Sequence, residues 1–430
     1  MLKVHVVHLG GHGYYLEGRE HGTELEWPGR WVGTAAPDLG LGGAVERGTF
    51  DGVMAGTDPR SGEVLRSGRG PRSVSAFDLT FCAPKSVSLL HALAPAEIAE
   101  AAGDAHRRAV ADAGGYLSRQ GVGVRRSQGG SVGLLATTGM VAGEFRHRVS
   151  RALDPHLHTH LVAANLARGP DGRWSSLDGR RLFAHLRSAG GVYHARLRLE
   201  LTERLGAAWE VRPSGLGDVV GVEPALRRLF SQRTAAIDEF VATRRLGGRV
   251  RTAGAALATR PDKELHHDLA SLTAGWRQRA DDVGLDLGGL SRVVGRARWA
   301  VDHPDPGRPD RDRLAARLSG ADRPGTSLAR RDLVAAVSAT TLAGAEARTV
   351  EAVVDRLTAG VAPDRSLTRA SEPRWRPGDL AARVRDRGDE VVPEVARSPS
   401  PDRRPTPPGR HPGREVGDGR RRGLGRGLGR

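Results

Sequence analysis

Residues 154–166 read DPHLHTHLVAANL and carry histidines at positions 156, 158 and 160, followed by an apolar run. Because alternate residues of a β-strand project to the same face, a strand here places His158 and His160 side by side. A rise of roughly 3.3 Å per residue separates the two by about 6.5 to 7 Å, so their imidazoles can converge on one metal ion. Asp-Pro is typical of a turn, so we expect His156 to lie in the turn before the strand.

A third histidine, His147, precedes this stretch in EFRHRVSRALDPHLHTH, residues 144–160. The segment between the two reads as a turn, so His147 can approach from a neighbouring strand. A single H-x-H pattern is more often surface or hydrogen-bonded histidine than a metal site. Here a third histidine, a strand carboxylate and a tyrosine pair occur in one basic chain, which favours the metal site. Three neutral imidazoles would leave coordination positions open, so the ion would act as a Lewis acid.

A candidate carboxylate occurs in SAFDLTFCAPKSVSLLHAL, residues 75–93. The alternation predicts a strand with Phe77, Leu79 and Phe81 on one face and Asp78 on the other, followed by a helix that begins near residues 84–86. Asp78 could hold the second ring nitrogen of a histidine, or accept the proton of an attacking hydroxyl group.

Candidate nucleophiles are few, since the chain has four tyrosines, of which Tyr14 and Tyr15 are adjacent. Adjacent tyrosines are more often packing residues than catalytic ones. A phenol has a pKa near 10, so its oxygen needs a base or a nearby cation before it can attack phosphorus.

The composition is strongly basic, with a net charge of +16 over 430 residues. The lysines are Lys3, Lys85 and Lys263, so arginine supplies nearly all of the excess. Such a surface favours phosphate-bearing partners, although a coding bias towards arginine would produce the same preference over lysine. The single cysteine, Cys82, excludes a disulfide framework and a cysteine-based zinc ribbon. Without a signal peptide or a membrane-spanning apolar run, we expect a cytoplasmic protein with no membrane insertion.

The organisation changes along the chain. Residues 1–300 alternate strand-like and helix-like patterns, and GVYHARLRLELTERLG at 191–206 predicts an amphipathic helix that ends at its last glycine. Residues 301–395 are expected to form a helical stub or linker. Residues 396–430 are rich in Pro, Gly and Arg and are expected to be disordered. This tail would either bind nucleic acid non-specifically or have no selected function.

Several long motifs carry a family resemblance: FDLTFCAPKSVSLL at 77–90, HRVSRALDPHLHTHLVAANLARGPDGRWSSLDGRRLF at 147–183, and YYLEG at 14–18. In this order they resemble the TrwC (MobF) family of conjugative relaxases, over residues 1 to about 285. The resemblance implies an α/β fold of α+β type: an antiparallel five-stranded sheet with flanking helices, like the palm of HUH endonucleases, plus a helical C-terminal part.

The resemblance also implies a function and a site. It implies site- and strand-specific nicking of DNA at an origin of transfer, through a 5′-phosphotyrosine intermediate, in conjugative plasmid transfer. His147, His158 and His160 would bind a divalent metal ion (Mg, Mn or Zn), Asp78 would assist them, and Tyr14 would be the first catalytic tyrosine with Tyr15 behind it. The expected partners are single-stranded and hairpin DNA, with accessory relaxosome and coupling proteins. The basic residues that we expect to contact DNA are Lys85, Arg125, Arg126, Arg146 and Arg151.

Two features depart from the family pattern. No second tyrosine pair follows the first, and no G-x-x-x-x-G-K-[ST] loop occurs, so we expect no ATP site in this chain. The usual helicase region would then be missing. Two alternatives stay open at this point: a hydrolytic nuclease that uses the same metal site, and a truncated DNA-binding remnant without catalysis.

Overall fold

The computed structural model describes residues 2–11, 25–66, 73–128, 130–243, 268–296, 305–364 and 372–392. Tyr14 and Tyr15 lie outside the described residues, as does the predicted tail at 396–430. The domain boundaries after residues 300 and 395 stay predictions. No helix in the described ranges has the length and apolar character needed to cross a bilayer.

The strands and helices alternate in the first half of the chain, and helices dominate the second. The strands are β1 (Leu2–His8), β2 (Arg30–Val32), β3 (Val74–Cys82), β4 (Val124–Gln128), β5 (Ser131–Leu135), β6 (Ala142–Val149), β7 (Pro155–Ala164), β8 (Ala167–Arg168), β9 (Trp174–Ser175), β10 (Trp209–Val211), β11 (Gly217–Val219), β12 (Leu328–Ala329) and β13 (Arg374–Trp375).

The α-helices of the described residues are α1 (Arg47–Ala55), α2 (Lys85–Leu93), α3 (Ala96–Tyr116), α4 (Gly179–Leu205), α5 (Pro224–Leu229), α6 (Gln232–Thr243), α7 (Leu269–Asp281), α8 (Arg311–Ser319), α9 (Arg330–Thr340), α10 (Ala347–Thr358), α11 (Pro377–Asp386) and α12 (Gly388–Val391). Short 3-10 helices span Pro37–Leu39 and Leu287–Val293.

The central sheet has five strands in the order β1-β3-β7-β6-β2, and every neighbouring pair is antiparallel. The predicted antiparallel five-stranded sheet with flanking helices is therefore confirmed. Helices α2, α3 and α4 cover one face, where Leu79, Phe81 and Leu157 are buried in the main core. On the other face a second core contains Phe50, Phe145 and Val162.

The second face changes character along β7. Ala164 and Val162 are buried in the apolar core, whereas the alternate residues that precede them are His160, His158 and His156. Because the period of a strand is two, all five side chains share one face. The same strand therefore anchors the sheet at one end and presents imidazoles at the other.

The longest helix, α4, forms the scaffold behind the sheet, as its sequence predicts. Asp178 caps its N-terminus by accepting hydrogen bonds from the backbone N–H groups of Arg180 and Arg181. Gly206 ends it in the left-handed conformation, with φ of 60°. Helix α9 packs against α4, so the residues after 304 continue the helical layer.

The turn between β6 and β7 is fastened to the helices that follow the sheet. Asp154 is buried, and its carboxylate accepts hydrogen bonds from the backbone N–H and side-chain amide of Gln232 and from the Arg279 guanidinium. Trp276 donates its indole N–H to the Leu153 carbonyl oxygen at 2.8 Å. Leu153 has a φ of 54°, a value that a leucine adopts only at some cost. These contacts fix the start of the histidine strand.

Candidate metal centre

Three histidines come together on the two adjacent strands β6 and β7. His147 lies directly opposite His158, and His160 lies one pleat further along β7. The ring centroids form a nearly equilateral triangle, with sides of 5.0, 5.1 and 5.2 Å. The register of β6 against β7 thus brings His147 next to His158 and His160, as the sequence predicts.

Each of the three rings directs its Nδ1 atom at a protein oxygen. His160 Nδ1 donates to the Asp78 carboxylate, with both oxygens at 2.9 Å, and His158 Nδ1 donates to the His156 carbonyl oxygen at 2.9 Å. His147 Nδ1 lies 3.4 Å from a Glu26 carboxylate oxygen. An Nδ1–H bonded in this way keeps the lone pair on Nε2, which is the atom a metal ion would use.

The triangle has the size that a three-histidine metal site requires. A metal–nitrogen bond of about 2.1 Å in tetrahedral geometry places the imidazole centroids about 5 Å apart, which matches the observed sides. In the described ranges, the donor atoms of no three His, Cys, Asp or Glu side chains yet converge on one point. The residue types and the centroid spacing nevertheless fit a divalent ion.

The protonation state of the cluster also suits metal binding. Burial lowers the pKa of His158 to about 3, and the neighbouring His160 adds to the effect. His158 is therefore a neutral imidazole at physiological pH, which is the form that binds metal ions.

Asp78 is positioned by the register of β3 against β7. Its strand neighbour Thr80 lies opposite His160, and both Thr80 and Asp78 point to the histidine face. The Thr80 hydroxyl donates to Asp78 at 3.2 Å and lies 3.3 Å from His160 Nδ1. Thr80 was missed at the sequence level, although its spacing of two from Asp78 is a usable signal.

A buried network supports β7 from the opposite face. Thr159, between the two histidines, bonds through its hydroxyl to His106 Nε2 at 2.8 Å. His106 Nδ1 in turn lies 2.8 Å from the Tyr193 hydroxyl of α4. The chain of contacts ties the histidine strand to the scaffold helix.

His156 differs from expectation. It lies within β7, which begins at Pro155, and its ring stacks on that of His158 with centroids 4.8 Å apart. The placement of His156 in a turn was wrong because Pro155 occupies the first position of the strand, where a missing N–H is tolerated. Its carbonyl oxygen orients His158, so His156 contributes to the site through its backbone.

A second acidic residue, Glu26, had no signal in the sequence pattern. Glu26 forms an isolated bridge with His147, and the next residue, Trp27, lies between the guanidinium groups of Arg146 and Arg148. Both guanidinium carbons are 3.8 Å from the indole ring centroid, within the range of cation–π contacts. Because Arg146 and Arg148 flank His147, this stack fixes the histidine and Glu26 together.

The basic residues expected to contact DNA have different surroundings. Arg125 is half-exposed and pairs with Asp178, while Arg126 makes five hydrogen bonds, which account for all of its N–H donors. Burial lowers the pKa of Arg146 to about 10. Lys85 donates its ammonium to the Pro155 carbonyl oxygen at 2.7 Å, and Arg151 lies in the turn after β6.

Comparison with known proteins gives this arrangement a family. The TrwC relaxase family model matches residues 4–283, which is well over half of the chain. The chain belongs to the TrwC relaxase family. Among curated TrwC-like proteins, it is 30% identical over 294 residues to the multifunctional conjugation protein TraI of Escherichia coli. The match covers 65% of this chain but 16% of that relative, so the chain spans a small part of its length.

Solved structures of the TrwC family agree with the fold. The conjugative relaxase TrwC in complex with OriT DNA, in a metal-free structure, has a TM-score of 0.59 and 30% identity. That match covers 66% of this chain and 100% of the other. A copper-bound structure of TrwC with OriT DNA gives a TM-score of 0.60 at 30% identity, covering 67% and 100%. The confirmed fold class therefore extends over the sheet and its flanking helices.

Proposed function

We propose that this chain is a metal-dependent DNA strand transferase that nicks one strand at an origin of transfer. The observation that carries the proposal is the triangle of imidazoles with Asp78 against His160, in a member of the TrwC relaxase family. The relatives add support, since solved TrwC structures include complexes with OriT DNA in metal-bound form. The expected ion is Mg, Mn or Zn, and the expected substrate is single-stranded and hairpin DNA.

The proposed mechanism assigns a role to each residue. His147, His158 and His160 would hold the ion, which supplies Lewis-acid stabilisation of charge on a phosphate oxygen. Asp78 keeps His160 in the tautomer with its lone pair on Nε2. The Tyr14 oxygen gives up its proton to a base or to solvent as it attacks phosphorus, the bond from phosphorus to the 3′ oxygen breaks, and the 3′ oxygen takes up a proton as it leaves. Tyr15 is the alternative nucleophile.

The product of this step is a 5′-phosphotyrosine and a free 3′-hydroxyl. One phosphodiester replaces another, so the reverse reaction can rejoin the strand without ATP. Accessory relaxosome and coupling proteins belong to the same proposal, since the curated relatives are conjugation proteins. We place the reaction in the cytoplasm, where Cys82 would stay reduced.

A denaturing gel tests the proposal directly. The full chain with Mn²⁺ is incubated with single-stranded oligonucleotides that tile the intergenic DNA beside its gene. We expect one labelled strand to shift to a protein–DNA adduct. Tyr14→Phe should lose the adduct, His158→Ala should lose cleavage, and Arg292→Ala, an exposed control, should behave as wild type.

Two results would contradict the proposal in different ways. Cleavage without an adduct, unchanged in Tyr14→Phe and Tyr15→Phe, would indicate a hydrolytic nuclease with water as the nucleophile. DNA binding without cleavage at any metal concentration would indicate a binding remnant.

A further inference from the structure

A basic cavity of about 560 Å³ lies beside the first turn of α2, and none of the three clustered histidines lines it. Its walls come from the start of α2, from α4, from the β10–β11 hairpin and from α5 with the residues that follow it. The volume falls within the usual range for small-molecule sites, about 300 to 1,000 Å³. The cavity is thus large enough for an organic ligand.

The lining of the cavity is strongly cationic. Lys85, Arg212, Arg227 and Arg228 line it, and Asp218 lies among them. Asp218 is buried and accepts from Arg212 at 2.5 Å and from Arg227 at 2.6 Å. Among the described lining residues, one carboxylate stands against four cationic side chains, so the lining carries an excess of positive charge. The first residues of α2 add the positive end of a helix to the same wall.

We propose that this cavity binds the phosphate groups of a nucleotide. Arginine presents a planar fork of donors that matches phosphate oxygens, and the helix start and Lys85 add point charges. The lining residues that the structure describes include no Phe, Tyr or Trp on which a base could stack, so recognition rests on phosphate. The nucleotide can be free or part of a DNA strand. The proposal goes beyond the metal-dependent chemistry and does not require it.

The cavity is connected to the candidate metal centre through Lys85. Its ammonium bonds to the carbonyl oxygen of Pro155, the first residue of the strand that carries the histidines. An anion in the cavity would compete for that ammonium.

Calorimetric titration of inorganic pyrophosphate into the full chain, with EDTA present, tests the cavity in the absence of metal. We expect one saturable site, and a loss of about tenfold in affinity for Arg212→Ala and for Arg228→Ala, since each removes a charge-assisted hydrogen bond. The matched control is Arg292→Ala. Arg292 is 61% exposed and pairs with Asp286, as Arg212 is 60% exposed and pairs with Asp218.

His158→Ala should abolish nicking yet leave pyrophosphate binding intact, which separates this proposal from the metal-dependent one. The absence of saturable binding, or an equal loss in Arg292→Ala, would overturn the proposal.

Fluorescence anisotropy with labelled oligothymidylate then distinguishes the source of the phosphate. If Arg212→Ala and Arg228→Ala weaken strand binding as well, the site holds a phosphate of the DNA backbone. If they weaken pyrophosphate alone, the site holds a free nucleotide. Both results support a phosphate site, and they assign different ligands to it.

Discussion

Replacement of Asp78 by Asn is expected to weaken metal binding while the fold is retained. Both carboxylate oxygens lie 2.9 Å from His160 Nδ1, and the residue is buried. Asn has nearly the same shape but no charge, so it holds the ring less firmly and makes Nε2 a weaker donor to the metal. Loss of such a partner typically reduces metal affinity by about 10- to 100-fold, or about 1.4 to 2.7 kcal/mol.

The affinity is measured by calorimetric titration of Mn²⁺ and of Zn²⁺ into the full chain. Asp286→Asn is the control. It also removes a carboxylate, but that carboxylate is 60% exposed and lies outside the sheet. Thr80→Val, which removes the hydroxyl beside Asp78, should have a smaller effect of the same sign. An Asp78→Asn variant that binds both ions as tightly as wild type, with a native circular dichroism spectrum, would refute the orienting role.

Three further outcomes concern stability and are measured by urea titration. Thr159→Val should lower the free energy of unfolding by about 1 to 3 kcal/mol, because it leaves buried His106 without the Thr159 hydroxyl. An unchanged urea midpoint would contradict this. Asp154→Ala should lower the free energy of unfolding by about 3 to 5 kcal/mol, because it removes a buried charge from its hydrogen-bonded partners. A loss smaller than that of an exposed Asp→Ala change would show that Asp154 does not anchor the turn. Burial lowers the pKa of His185, which lies beside the Tyr116 hydroxyl, to about 4. The neutral ring therefore contributes fully to the free energy of unfolding above about pH 6.5, and this contribution is lost as the pH falls towards 4. Between pH 6.5 and 4, the free energy of unfolding of wild type should therefore fall by about 3 kcal/mol more than that of His185→Gln. Parallel pH profiles of the two proteins would contradict this prediction.

Much of the sheet could be predicted because its strands have a clear period of two. The alternation around Asp78 predicted β3 and the helix that follows it, and the glycine at position 206 predicted the end of α4. The grouping of His147 with His158 required only that a turn connect two adjacent strands. These are local features, and each is encoded within about twenty residues.

The rest of the site depends on contacts between distant segments. Glu26 lies near His147 because the chain segment before β2 runs beside β6. The local sequence around Glu26 does not predict this contact. Lys85 was expected to contact DNA, and its bond to the Pro155 carbonyl oxygen depends on the approach of β7, which no local pattern encodes. A local reading of Asp-Pro also placed His156 outside the strand, whereas pairing with β6 extends the strand to Pro155.

The three histidines and Asp78 of the candidate metal centre lie on β3, β7 and β6, the three inner strands of the sheet. Local opening of a protein begins at edges and termini, whereas inner strands open only at a free-energy cost close to that of global unfolding. The amides of these strands should therefore exchange their hydrogens with solvent slowly, even while β1 or β2 frays. An ion or a DNA strand can then leave and return without the ligands losing their relative positions.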